Sequence, residues 1–175
     1  MFLLPKYTPL FSAITVNILL ALLVYINNPK SQTNKIYSIL SIFLSVWLGA
    51  NYLSIEPAFL SVSLFLIRLS VFFAVPVSTL FYLLAHTILY NTIRLKKHLL
   101  YLICIITALV MLIAISPVTF TRLTIINNAP QPSVGPGMLP FFLTTTVFSL
   151  MAVYVLFKKQ RQLIGLHKAQ IRYMM

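Results

Sequence analysis

The sequence predicts an all-α membrane protein, a polytopic bundle of five transmembrane helices forming a single membrane domain, and three observations lead there. Of its 175 residues, 60% are hydrophobic and only 8% are charged, with a mean hydropathy of +0.97, a balance that excludes a soluble single domain. The apolar residues gather into runs of about 20, the helical length that crosses ~30 Å of hydrocarbon. The thirteen Lys and Arg lie almost entirely in the short connections between those runs. There they orient a chain in a bilayer rather than bind nucleic acid, in spite of a net charge of +12.

The first run, 7–26, stands where a signal peptide would. It is too long for one, its basic residues follow it, and no small-x-small cleavage pattern precedes Asn27, so it is expected as a retained helix. The second and third runs are 36–55 and 62–90. Pro29, Pro57, Pro117, Pro130, Pro132 and Pro136 fall between runs, whereas Pro76 lies deep inside the third and is expected to kink it. The fourth run, 99–116, contains Cys104, the single cysteine, which rules out an internal disulfide and reads as a buried small hydrophobe. Residues 117–137 join a β-branched stretch, VTFTRLTII, to APQPSVGPG, which suits either a short hairpin or a linker. The fifth run is 138–157, and 158–175 form a basic tail.

Orientation follows from the cations. Lys30, Lys35, Arg94, Lys96, Lys97, Lys158, Lys159, Arg161, Lys168 and Arg172 fall on one side, and Lys6 and Arg122 on the other with Glu56, the one acidic residue. By the positive-inside rule the N-terminus is outside, the C-terminus is cytoplasmic and 117–137 is an external loop.

Helices in lipid approach through small residues. Ser38, Ser41, Ser45 and Gly49 on the second helix, and Ser70, Ala74 and Ser78 on the third, supply such faces for a contact within the chain or a homodimer seam. The third helix also has a polar stripe, Arg68, Thr79, Tyr82 and His86, near one face, and an ionisable residue within a span marks a candidate sensing site. Arg68 is two turns from the outer boundary, where it can snorkel or pair with Glu56. His86, one turn before Tyr90, reads first as an interfacial histidine and second as a proton relay or ligand.

Catalysis is excluded by subtraction. With no aspartate and only Glu56, paired-carboxylate chemistry and a carboxylate-built Mg²⁺ or Ca²⁺ site are unavailable within one chain. His86, His98 and His167 have no metal-ligand spacing and no acidic successor of the kind that follows a phosphoaccepting histidine. Gly49, Gly135, Gly137 and Gly165 are too scattered for a phosphate-binding loop. No catalytic residue, metal or cofactor is expected.

The stretch NNPKSQTNKIYSILSIFLSVWLGANYL, residues 27–53, is similar to the matching part of the N-terminal seven-helix membrane region of bacterial sensor histidine kinases. Asn28, Pro29 and Ser31 form an Asn-Pro-x-Ser turn, Asn34 follows, and Trp47 lies in the helix beyond. Arg68 and Pro76 match an early Arg and a mid-helix Pro, GPGMLPFF matches before the fifth helix, and Gly165, Gln170 and Arg172 match a G-x-x-x-x-Q-x-R pattern after it. The resemblance implies a sensory input domain in a bacterial cytoplasmic membrane, with no output domain of its own. It makes the basic tail a cytoplasmic link into a sixth helix, so that the chain is a fragment of a longer sensor or a truncated product. Lipid, a second copy or a cytoplasmic signalling protein are the implied partners, and the ligand is left unspecified. The alternatives are a small accessory membrane protein and a transporter subunit, the latter disfavoured by the lack of inverted repeats.

Overall fold

A computed structural model describes residues 4–88, 91–93, 95–126 and 129–162. Five of its helices are long and apolar enough to cross a membrane, so the expected all-α polytopic bundle is the fold.

Helix α1 (Leu4–Asn27) ends just before Pro29, which cannot continue a helical hydrogen-bond ladder. The Asn-Pro-x-Ser turn then reverses the chain. The Lys30 N–H donates to Asn28 Oδ1 at 3.2 Å and the Ser31 N–H to Asn28 O at 3.1 Å. Ser31 Oγ accepts from the Asn34 N–H at 3.2 Å. This is an N-cap, worth about 1 kcal/mol, and it starts α2 (Gln32–Ser54) earlier than the apolar run at 36 indicates. Asn34 Nδ2 reaches back to Val24 O at 2.8 Å and ties the new helix to the old one.

The small-residue face of α2 is taken up inside the chain. Ser38, Ser41 and Ser45 are buried, Ser38 Oγ donates to Ala21 O of α1 at 2.7 Å, and Gly49 faces Ile14. At the opposite end the rings of Tyr7 and Tyr52 meet edge to face at 5.9 Å. The turn after α2 contains a short 3₁₀ segment (Pro57–Phe59), and the fully buried Ser63 fastens it by donating to Ser54 O.

Helix α3 (Ser63–Thr87) is the centre of the bundle, in contact with α2, with α4 (Lys97–Ile115), with α5 (Met138–Gln162) and with the loop between the last two. Of its most apolar window 39% is buried, against 6% for α1, which lies at the edge with most of its surface exposed. The helix ends at Thr87 rather than at 90. It runs through Pro76, whose missing N–H leaves Phe72 O without its usual helical donor.

On α4 the buried residues are Ile103, Thr107, Val110 and Ala114, one narrow stripe at helical spacing. Cys104 lies one residue off that stripe and is exposed, which corrects its expected burial. Helix α5 continues past the end of its apolar run at 157 to Gln162, because Lys, Gln and Arg all favour helix. The start of the basic tail is therefore helical.

Residues 117–137 contain a hairpin, not a bare linker. Strand β1 (Phe120–Ile126) pairs antiparallel with β2 (Ala129–Val134) in the register Leu123↔Pro132, Thr124↔Gln131 and Ile125↔Pro130. Its base is cross-braced: Thr119 Oγ1 donates to Ile113 O at 2.7 Å, the Gly135 N–H to Thr119 O at 2.8 Å and the Gly137 N–H to Val118 O at 3.1 Å. A Cβ at Gly135 would lie 2.1 Å from Val118 O, so only glycine allows this approach. Phe120 seats the hairpin on the helices, packing with Val71 and Val75 of α3 and Val110 and Ala114 of α4.

Candidate functional site

The polar groups of α3 divide between its two ends. Arg68 and Tyr82 are fourteen residues apart, about 21 Å along a helix, so the stripe seen in sequence is not one pocket.

At the hairpin end Arg68 donates through Nη2 to Phe120 O, the first residue of β1. Neither snorkelling nor pairing with Glu56 anticipates that partner. It arises because the hairpin folds over this end of α3. A guanidinium in a span persists where something offsets its desolvation, and here a strand carbonyl does so. Arg68 Nε remains buried without a hydrogen-bond partner among the described residues.

In the middle, Thr79 joins α3 to α4. Its Oγ1 lies 2.9 Å from Thr107 Oγ1. Thr107 spends its own proton on Ile103 O at 2.8 Å, so Thr79 is the donor in the pair. Both residues are buried, one turn beyond Pro76.

At the far end Tyr82 and His86 stand edge to face at 4.7 Å, and Tyr82 also stacks on Phe148 of α5 at 5.8 Å. His86 Nε2 is buried without a hydrogen-bond partner among the described residues. Beside it, α5 inserts Lys159. The Nζ donates to Ala85 O at 2.8 Å, His86 O at 2.7 Å and Ile88 O at 2.8 Å. Ala85 and His86 are in the last turn of α3, where carbonyls have no donor within their own helix and lie at the negative end of its dipole, and Ile88 is the residue just past it.

The connection between α1 and α2 clamps the same helix end. Asn91, with a positive φ of 53°, accepts through Oδ1 from Ser31 Oγ at 2.5 Å and from the Thr33 N–H at 3.2 Å. Thr33 Oγ1 donates to Thr87 O at 3.1 Å, and Gln32 Oε1 accepts from the Ile93 N–H at 2.9 Å. The end of α3 is thus held from one side by α5 and from the other by the Asn-Pro-x-Ser turn. Of the motif residues, Asn28, Pro29, Ser31 and Asn34 build this turn, while Trp47 is half-buried on α2. Gly165, Gln170 and Arg172, like Tyr90 and Arg94, lie outside the described residues.

Lys159, Thr107 and Asn91 were not singled out from sequence. Lys159 differs from its neighbour Lys158 only in helical phase: it follows the buried Ala152 and Leu156 by seven and three residues, which puts it on the inner face. Asn91 was open to recognition as a residue that tolerates the left-handed conformation just past a helix end. Thr107 had no signal apart from its partner.

Among the described residues no group of His, Cys, Asp or Glu is placed to hold a metal ion. The arrangement is one of packing and hydrogen bonds that join separate helices, which defines a polytopic helical membrane protein organised around one central span. The chain matches the family described as the N-terminal 7TM region of histidine kinase over residues 9–175, and it belongs to that family. Searches of curated proteins and of solved structures find no match.

Proposed function

We propose that this chain is the sensory input region of a signalling protein in a bacterial cytoplasmic membrane, and that α3 carries the stimulus from the hairpin to the far side. The family membership supports the input role. The observation that carries the relay is that α3 is held towards both ends by other elements, Arg68 by the hairpin carbonyl of Phe120 and the last turn by Lys159 of α5. Between them Pro76 removes one rung of the hydrogen-bond ladder, where the helix bends most cheaply. A stimulus that binds two positions of the hairpin unequally would then shift the packing of α3 and, through Lys159, of α5.

We infer that the hairpin is outside and the Lys159 end in the cytoplasm, an orientation supported by Lys30, Lys35, Lys96, Lys97, Lys158 and Arg161, which all lie at that end. In this reading a cytoplasmic signalling partner reads out the shift.

The test uses the purified chain in lipid nanodiscs with hydrogen exchange as the readout. Arg68→Leu is expected to speed exchange in the hairpin and also at the amides of residues 84–88. Faster exchange confined to the hairpin would refute the relay. Orientation is checked in intact cells with an impermeant thiol reagent, on a background in which Cys104 is replaced by Ser. Ser133→Cys is expected to label and Gln32→Cys to stay unlabelled; the reverse pattern would invert the assignment.

A further inference from the structure

The edge helix α1 and its neighbour α2 leave a cleft between them at the end where the Asn-Pro-x-Ser turn lies. It has a volume of about 390 Å³ and is walled by Ile18, Leu22 and Tyr25 on α1 and by Lys35, Ile39 and Ile42 on α2. On each helix these residues are three or four apart, so they form two facing stripes. Ala21 and Ser38 form the floor. The Ser38 hydroxyl is already donated to Ala21 O at 2.7 Å, so the floor offers a ligand no free proton. The interior is therefore apolar, and polar groups stand only at the mouth, where Lys35 is exposed and the Tyr25 ring is 45% exposed. From Lys35 to Ile42 the cleft descends about 10 Å, two-thirds of the ~15 Å depth of one leaflet's hydrocarbon.

We propose that this cleft binds one phospholipid with an anionic headgroup, an acyl chain lying along Ile39 and Ile42 and the headgroup phosphate meeting the Lys35 ammonium. A lipid suits both parts of the cleft at once. Its chain fills an apolar slot that opens sideways into hydrocarbon, and its phosphate stands at the depth where that slot ends in a cation. A helix laid in the same place would cover Lys35 and strip water from its ammonium, which is unfavourable unless the helix supplies a carboxylate. The single acidic residue of this chain, Glu56, is in the turn after α2, at the other end of the bundle, so a second copy has none to offer there. Tyr25 takes the interfacial position that tyrosine favours, with its hydroxyl level with the headgroups.

The experiment is native mass spectrometry of the purified full chain, equilibrated with phosphatidylglycerol and phosphatidylcholine of identical acyl chains. The wild type is expected to retain one phosphatidylglycerol in preference to phosphatidylcholine. Lys35→Gln is expected to lower the ratio of the two about fivefold, the factor equivalent to the roughly 1 kcal/mol that one basic residue gains near an anionic surface. Ile39→Trp, which fills the slot, is expected to reduce retention of both lipids, with Ile42→Trp in its place if the first variant does not fold. Lys97→Gln, an exposed cation on α4, is expected to leave the ratio unchanged. The proposal is overturned if the wild type shows no preference, if Lys35→Gln keeps the wild-type ratio, or if Lys97→Gln lowers it equally. It is also overturned if Ile39→Cys copies, on a background lacking Cys104, cross-link quantitatively in lipid, because the cleft would then belong to a second copy.

Discussion

Replacing Lys159 by methionine should cost more stability than replacing any other cation outside the central span whose side chain is among the described residues. The side chain is only 9% exposed, and its ammonium contacts the carbonyls of Ala85, His86 and Ile88 at 2.7–2.8 Å. Hydrogen bonds from a charged donor contribute about 1.5–3 kcal/mol each, and a cation at a partly buried helix C-terminus adds up to ~2 kcal/mol. Against these stand several kcal/mol for desolvating the ammonium, while the ordering of the side chain costs about the same for methionine as for lysine and cancels. Methionine keeps most of the apolar stem and its packing against α3, so the loss reports chiefly the charge and its hydrogen bonds. The balance is a destabilisation of about 2–4 kcal/mol, near the upper end of what a point mutation does. Unfolding of the purified chain titrated with SDS in mixed micelles measures it. Lys159→Arg should recover only part, because a planar guanidinium cannot send three donors to carbonyls converging on one point. Lys158→Met, on the exposed face of the same helix, should stay within about 0.5 kcal/mol of wild type. If Lys159→Met did the same, the ammonium would not be holding the end of α3, and the coupling of α5 to α3 would lose its basis.

Gly135→Ala drives a Cβ to within 2.1 Å of Val118 O, and since the obstacle is backbone the base of the hairpin must open; a loss near the top of the 1–3 kcal/mol range for overpacking is expected, read as faster exchange at the Gly135 and Gly137 amides. Thr79→Val leaves Thr107 with its bond to Ile103 O but without its interhelical donor. About 0.6–1.7 kcal/mol should be lost, and the double variant with Thr107→Val should be less destabilised than the two single effects added together. Asn91→Gly keeps the backbone at φ 53° but deletes the acceptor for Ser31 and Thr33, whereas Asn91→Ala also strains the backbone; alanine should therefore be the worse by about 1 kcal/mol in the same titration.

The number of spans and their approximate positions were legible because crossing hydrocarbon demands long apolar runs, a constraint local to each segment. The role of the Asn-Pro-x-Ser turn was half legible: its residues were marked, but their purpose needs Asn91, sixty residues further on from Ser31. The polar stripe was legible as a pattern but the partners of its members were not, since helical phase says which residues share a face but not what covers each stretch of it. Arg68 shows this most clearly. A charge near the outer boundary and near Glu56 in sequence suggested snorkelling or an ion pair, while the hydrogen-bond partner is a carbonyl of a strand 52 residues away. Cys104 failed differently, because on a helix with one narrow buried stripe an apolar residue is lipid-facing more often than packed. Lys159 was hidden by composition. In a run of cations every member looks like a surface residue until the phase of the helix below it is followed through.

The hairpin has a free edge that deals with a hazard of its own. Pro130 and Pro132 alternate along β2, opposite Ile125 and Leu123. Proline survives in a strand where its nitrogen faces away from the neighbouring strand, so the outward edge of β2 has no N–H at these two positions. An incoming strand from another molecule would find acceptors there without donors and could not zip up along it. Pairing of one hairpin with another through β2 is thereby disfavoured, and a ligand that engages this edge cannot do so by adding a regularly paired strand.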